Sequence, residues 1–374
     1  MRIEVGGTRL QDLQRFGQSV WLDCHDPEAM AGSRLARLIR SGISGVVCTA
    51  VDLAGAESLD GASREARARL RATEPDARHM HEHSTVDDWR RVADQLRRVY
   101  SNTGGRDGYV NIELSPVLAH DADSTEFEAR RLWSMIDRPN VLIKVPANGA
   151  GLIAMRRLIA AGISINATPI FGAHRYGEVI EAYMAGLEDR IGKSAPLDRV
   201  ASVASIFVNE IDAAVDRELD RMQQPDKAVH ASRLRSKAAV AVARLAYQRY
   251  KNVISSPRWR LLARYHAQTQ RLLWAGTAAG AAGGTGLKYA NELVGRDTIA
   301  LMAPNAVDAY TDHGVAAPTL ERNLPEVLEI FGELDGLGVD LERISAQLES
   351  ASIRPAAPGA TPGASPRPLS RSRC

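Results

Sequence analysis

Residues 141–168 read VLIKVPANGAGLIAMRRLIAAGISINAT. An apolar run from Val141 to Pro146 gives way to a stretch from Ala150 to Ala161 with apolar residues at three- and four-residue spacing, and then to a β-branched run from Ile163 to Thr168. Runs of that length bounded by turn residues read as buried strands, and the spacing between them is that of a helix with one buried face. Parallel strands need a crossover, so strand, helix and strand in succession make one βαβ unit.

The same alternation extends in both directions. Further strands are expected at Ser19 to Asp23, Gly45 to Ala50, Tyr109 to Leu114, Val200 to Ser205, Arg271 to Gly276 and Asp297 to Met302. Helical spacing fills Val86 to Tyr100, Arg175 to Leu187, Ile206 to Met222 and Lys227 to Ile254. Eight strands separated by helices predict an α/β fold, a (β/α)8 TIM-type barrel with extra helices; an open doubly wound sheet is the alternative. One domain over 1–355 is expected. Residues 356–374 are rich in Pro, Ala, Gly and Ser, bury too little apolar surface to offset ordering, and read as a disordered C-terminal tail.

Composition narrows the function. Of 374 residues, 45% are hydrophobic and 25% charged, the mix of a globular protein. The net charge is +2, and setting aside the three arginines of the last twenty residues leaves 44 basic against 45 acidic side chains. That balance excludes the strong field that nucleic acid or an anionic membrane would require, so neither is expected as a partner. Three scattered cysteines, Cys24, Cys48 and Cys374, make neither a disulfide framework nor a metal knuckle. The N-terminus lacks a signal-peptide core and no stretch approaches the roughly 18 apolar residues of a membrane span, which predicts a cytoplasmic protein. Residues 56–85 are strongly charged and carry His79, His81 and His83 at alternate positions; without a fourth ligand they read as a solvated loop or helix end rather than a metal site.

In a barrel the chemistry sits at the C-terminal ends of the strands. The polar residues there are Asp23, Glu113, Lys144, Asn166, Thr168 and Ser205. Lys144 is the most informative, because an apolar strand excludes lysine unless it is paired or snorkels outward to solvent. Turned inward, it could act as a neutral amine that attacks a carbonyl to form a Schiff base. Glu113 and Asp23 offer acid/base partners, each against the plainer roles of an internal ion pair and a helix N-cap. Asn166, Thr168 and Ser205 each have the plainer role of a satisfied strand amide or hydroxyl. Gly276 to Gly286 lacks the endings of phosphate-binding and dinucleotide loops, and no serine-hydrolase elbow or HExxH is present.

These residues and their surroundings resemble the transaldolase family, in its longer bacterial branch, from about Val20 to Leu348. The likeness is carried by Asn102 to Asp121, Arg138 to Ala147, Ile165 to Phe171, Val200 to Val208, Leu272 to Ala275 and Asp312 to Gly314. The resemblance implies a cofactor-free barrel in which Lys144 is the Schiff-base lysine. Glu113 and Thr168 would move protons through a water, and Asp23 would take the proton of the substrate hydroxyl during carbon-carbon cleavage. Asn166 and Ser205 would hold substrate hydroxyls.

Three positions depart from the family. Thr49 stands where an asparagine is usual, Glu210 where an arginine holds the sugar phosphate, and Gly276 to Gly280 where a hydroxyl and a lysine are usual. All three fall on substrate binding. The expectation is a small-molecule carbonyl or sugar-like substrate of atypical kind, in secondary metabolism. The alternatives are an ordinary pentose-phosphate transaldolase, with Lys288 or Arg175 holding the phosphate, and an inactive binding protein derived from the family. A homo-oligomer is compatible with all three.

Overall fold

The computed structural model describes residues 8–24, 33–48, 75–222, 224–277 and 287–353, with the backbone alone at 48, 75–85 and 225–226. Eight parallel strands close into a barrel in sequence order. They are β1 Gln18–Cys24, β2 Ile43–Cys48, β3 Val110–Glu113, β4 Val141–Pro146, β5 Ile165–Ile170, β6 Ser202–Phe207, β7 Arg271–Ala275 and β8 Thr298–Met302. Each coincides with an expected run to within about two residues, and the open sheet is excluded.

The helices, in chain order, are α1 Arg9–Arg15, α2 Ser33–Ser41, α3 Pro75–Asn102, α4 Ala122–Ile136, α5 Gly149–Ala161, α6 Ala173–Gly192, α7 Val208–Asp220, α8 Pro225–Leu234, α9 Ala238–Ile254, α10 Pro257–Arg264, α11 Lys288–Glu292, α12 Pro304–His313, α13 Leu324–Gly336 and α14 Leu341–Ser352. Residues 75–85 are the first part of the long helix α3, the helix-end alternative of the two expected there. One expectation changes. The single helix expected over Lys227 to Ile254 is two, broken where Ser236 takes φ 57° and its N–H and hydroxyl donate to Asp216. Thr49, residues 278–280, Cys374 and the tail 356–374 lie outside the described residues. Among the described residues no helix is long and apolar enough to cross a membrane.

Period-two alternation sorts each strand between two cores. Ile143, Val145, Ile165 and Ala167 point outward into the layer shared with the helices. Trp21, Val47, Leu142, Val203, Leu273, Ile299 and Leu301 pack together inside the barrel. At the N-terminal end this interior is closed by polar groups: Arg271 and Asp107 pair at 3.1 Å, Ser19 and Trp21 donate to Asp107, and Arg271 donates to the carbonyl of Thr298. Each charge there is paired and hydrogen-bonded, which is what makes its burial tolerable. Gly45 is a glycine for space, since a Cβ would fall 2.6 Å from the Trp21 ring.

Candidate active site

The parity that places Leu142 inside the barrel also places Lys144 inside, two residues closer to the C-terminal end. This settles the choice left open between an inward and a snorkelling lysine. Strand register then aligns three polar residues at one level, Glu113 opposite Lys144 and Lys144 opposite Asn166. The Lys144 side chain is 8% exposed, and its Nζ lies 3.1 Å from Glu113 Oε2.

Neighbouring polar groups form a chain across the wall. Ser205 donates to Asn166 Oδ1 at 2.8 Å, Asn166 Nδ2 donates to Asn111 Oδ1 at 3.0 Å, and Asn111 Nδ2 donates to the carbonyl of Val46. The chain holds the Asn166 carboxamide in one orientation and leaves neither the Asn111 nor the Asn166 amide unmet. Asn111, fully buried, was not among the expected site residues. Its signal was the same inward parity, two residues before Glu113 on β3.

A cavity of about 140 Å³ opens at this end of the barrel. Asp23, Lys144, Asn166, Thr168, Ser205, Glu210 and Gly276 all line it, joined by Asn209, Phe207 and apolar residues of β2, β7 and β8. Glu113 reaches it through its contact with Lys144. Thr49 is not described, so its place in the site is not assigned. Asp23, Lys144, Asn166, Thr168, Ser205, Glu210 and Gly276, expected from the sequence, are thus brought together, with Glu113 joined to them by its ion pair with Lys144.

Glu210 sits in the first turn of α7, directly after β6, and burial pushes its carboxyl above the ordinary glutamate range. The two cations named as alternative phosphate ligands are engaged elsewhere. Arg175 pairs with Glu349 and Glu178, holding α6 to α14. Lys288 pairs with the buried Asp212 at 3.2 Å and contacts the carbonyl of Ser236, tying α11 to α7 and to the start of α9. Among the described residues, Lys144 is the single cation lining the cavity. No group of three or more His, Cys, Asp or Glu that could hold a metal ion is found among them.

Comparison with known proteins agrees with this fold. The family model described as transaldolase/fructose-6-phosphate aldolase matches residues 20–357. A transaldolase of Thiobacillus denitrificans is 37% identical over 345 residues, covering 92% of this chain and 95% of its own. Transaldolase 1 of Streptomyces coelicolor is 38% identical over 346 residues, covering 92% and 90% respectively. A transaldolase of Frankia alni is 36% identical over 348 residues, covering 92% of each.

Proposed function

Because the chain belongs to the transaldolase/fructose-6-phosphate aldolase family, we propose that it is a transferase of the transaldolase type, working by Schiff-base chemistry on Lys144. The observation that carries this is a buried lysine on the inner barrel wall, opening into the cavity with a carboxylate 3.1 Å from its Nζ. The amine must lose a proton before it attacks, and Glu113 is the base at hand. Nζ then bonds to the substrate carbonyl carbon to give a carbinolamine. Protonation of the carbinolamine hydroxyl, by Glu113 through a water held with Thr168, expels water and leaves an iminium.

The iminium is the electron sink for the next step. Asp23 takes the proton from the hydroxyl on the far carbon of the bond to be broken, a new carbonyl forms there, and the carbon-carbon bond electrons pass into an enamine on Lys144. Attack of that enamine on a second aldehyde reverses the sequence. Asn166 and Ser205, already oriented by their mutual hydrogen bond, receive the substrate hydroxyls. None of these steps calls for a metal or an organic cofactor.

The substrate we propose is a carbonyl compound without phosphate. A phosphate in this cavity would meet the Glu210 carboxylate and find no arginine among the described lining residues. Like charges within a partly desolvated site repel far more strongly than in water. The second reading, an ordinary transaldolase acting on fructose 6-phosphate, draws support from the relatives' names.

Borohydride trapping decides between them. Fructose and fructose 6-phosphate are each incubated with the protein, reduced, and the peptide carrying Lys144 weighed. An adduct on Lys144, absent in Lys144→Arg, is expected, because a guanidinium stays protonated. It should form faster with fructose. An adduct on another lysine defeats the Schiff-base assignment, and efficient use of fructose 6-phosphate restores the second reading.

A further inference from the structure

Asn209 and Glu210 open α7 immediately after β6, and both line the cavity. Asn209 was not among the residues the strand-end rule brings forward. Its Oδ1 is buried and has no hydrogen-bond donor in the structure. A buried acceptor left unmet costs its desolvation, so such a group in a cavity wall points to a donor that arrives with the ligand. Gly276, at the end of β7, is what allows the carboxamide to lie there. A Cβ at Gly276 would fall 1.7 Å from Asn209 Oδ1, and the glycine's φ of 74° is one that other residues rarely adopt.

Glu210 completes the corner. The first turn of α7 has no side-chain cap, since its N-cap is Phe207. The partial positive charge of that helix end is therefore the place where an anionic ligand would normally bind. Here an acidic residue, Glu210, already sits in that first turn. The cavity thus offers a neutral acceptor and an acidic acceptor side by side, and an N–H or O–H donor fits both while a phosphate fits neither.

We infer that Asn209 and Glu210 form an acceptor corner that selects substrates whose end remote from the reacting carbonyl carries an amino group or, less well, a hydroxyl. An ammonium has donors for both acceptors and neutralises the carboxylate, whereas a hydroxyl has one donor and no charge. The inference rests on the Schiff-base reading and names the substrate class for that same site. Asn209 and Gly276 then act together as determinants of specificity.

The test measures the rate of borohydride-trapped adduct formation on Lys144 with 6-amino-6-deoxyfructose, fructose and fructose 6-phosphate, with dihydroxyacetone as a probe too short to reach beyond the carbonyl region. In the natural protein the order should be amino, then hydroxyl, then phosphate, each step about tenfold or more, as one hydrogen bond or charge contact is commonly worth. Asn209→Leu should remove about tenfold from the amino and hydroxyl compounds, and Asn209→Asp, which keeps an acceptor, should restore most of it. Glu210→Gln should bring the amino and hydroxyl rates together. Circular dichroism of each variant establishes that it is folded. Trapping of dihydroxyacetone together with equal rates for the three ketoses, or a folded Asn209→Leu with unchanged rate ratios, overturns the corner. Failure to trap dihydroxyacetone at all overturns the Schiff-base reading and the corner with it.

Discussion

Replacing Glu113 by glutamine separates a proton-transferring carboxylate from a merely structural one. The change preserves size and a hydrogen-bonding group beside Lys144, so the wall chain through Asn111 and Asn166 should stand. What it removes is the nearest group able to accept the proton of the lysine and later return it to the departing hydroxyl. Two charges 3.1 Å apart attract by about 5 kcal/mol at an effective dielectric constant near 20. That figure is a ceiling, because the Glu113 side chain is 30% exposed and solvent screens part of it.

General acid/base groups contribute about 10²- to 10⁴-fold, or roughly 3 to 5 kcal/mol of barrier, which lies within that ceiling. Imine formation in Glu113→Gln should therefore slow by about two to four orders of magnitude. The assay is single-turnover mixing with excess protein, quenched by borohydride at intervals, with the adduct on the Lys144 peptide quantified by mass. A folded Glu113→Gln that forms the adduct within about threefold of the natural rate, where a lost general acid/base costs at least a hundredfold, would refute the assignment and leave Glu113 as the lysine's structural counterion.

Asp23→Asn should leave imine formation near its natural rate but slow release of the aldehyde fragment by about 10²- to 10⁴-fold; a variant with unchanged release would show that Asp23 is not the base for cleavage. Glu210→Gln should raise the melting temperature at neutral pH. Burial holds the folded-state carboxyl pKa above its ordinary 4.5, so the natural protein loses stability as pH rises from that value through the folded pKa. The advantage of glutamine should accordingly vanish below about pH 4, where the glutamate is neutral in folded and unfolded states alike. Thermal scans from pH 4 to 8 check this, and a difference independent of pH would mean that the carboxyl is not desolvated.

The barrel was legible because a parallel sheet covered by helices writes its strands as nearly continuous apolar runs, and Val141 to Pro146 is such a run with one exception. The exception was Lys144, conspicuous against apolar neighbours. Its partners followed from a rule about strand ends that needs no contact information. The break between α8 and α9 was not legible, since residues 235–237 hold neither glycine nor proline and helical spacing continues across them. What turns the chain is Asp216, on α7, accepting from Ser236, with Asp212 accepting from the N–H of Ala239. Those bonds span twenty and twenty-seven residues, and no local pattern encodes them.

Asn209 escaped notice for a related reason. A polar residue in the first turn of a helix is unexceptional by sequence, and its meaning comes from the approach of Gly276, on the far side of β7. A glycine there reads by sequence as the lost hydroxyl of a familiar loop. In space it is the room that the Asn209 carboxamide occupies. Asn209 and Gly276 are therefore coupled, and Glu210 lines the same cavity beside them. Restoring a phosphate-binding arginine at 210 while Asn209 and Gly276 remain would place a cation beside a buried acceptor still shaped for a donor. On the proposed reading, the substrate preference of this cavity belongs to three residues from two strand ends and the lysine chemistry to side chains of β1, β3, β4 and β5, so each can change without the other.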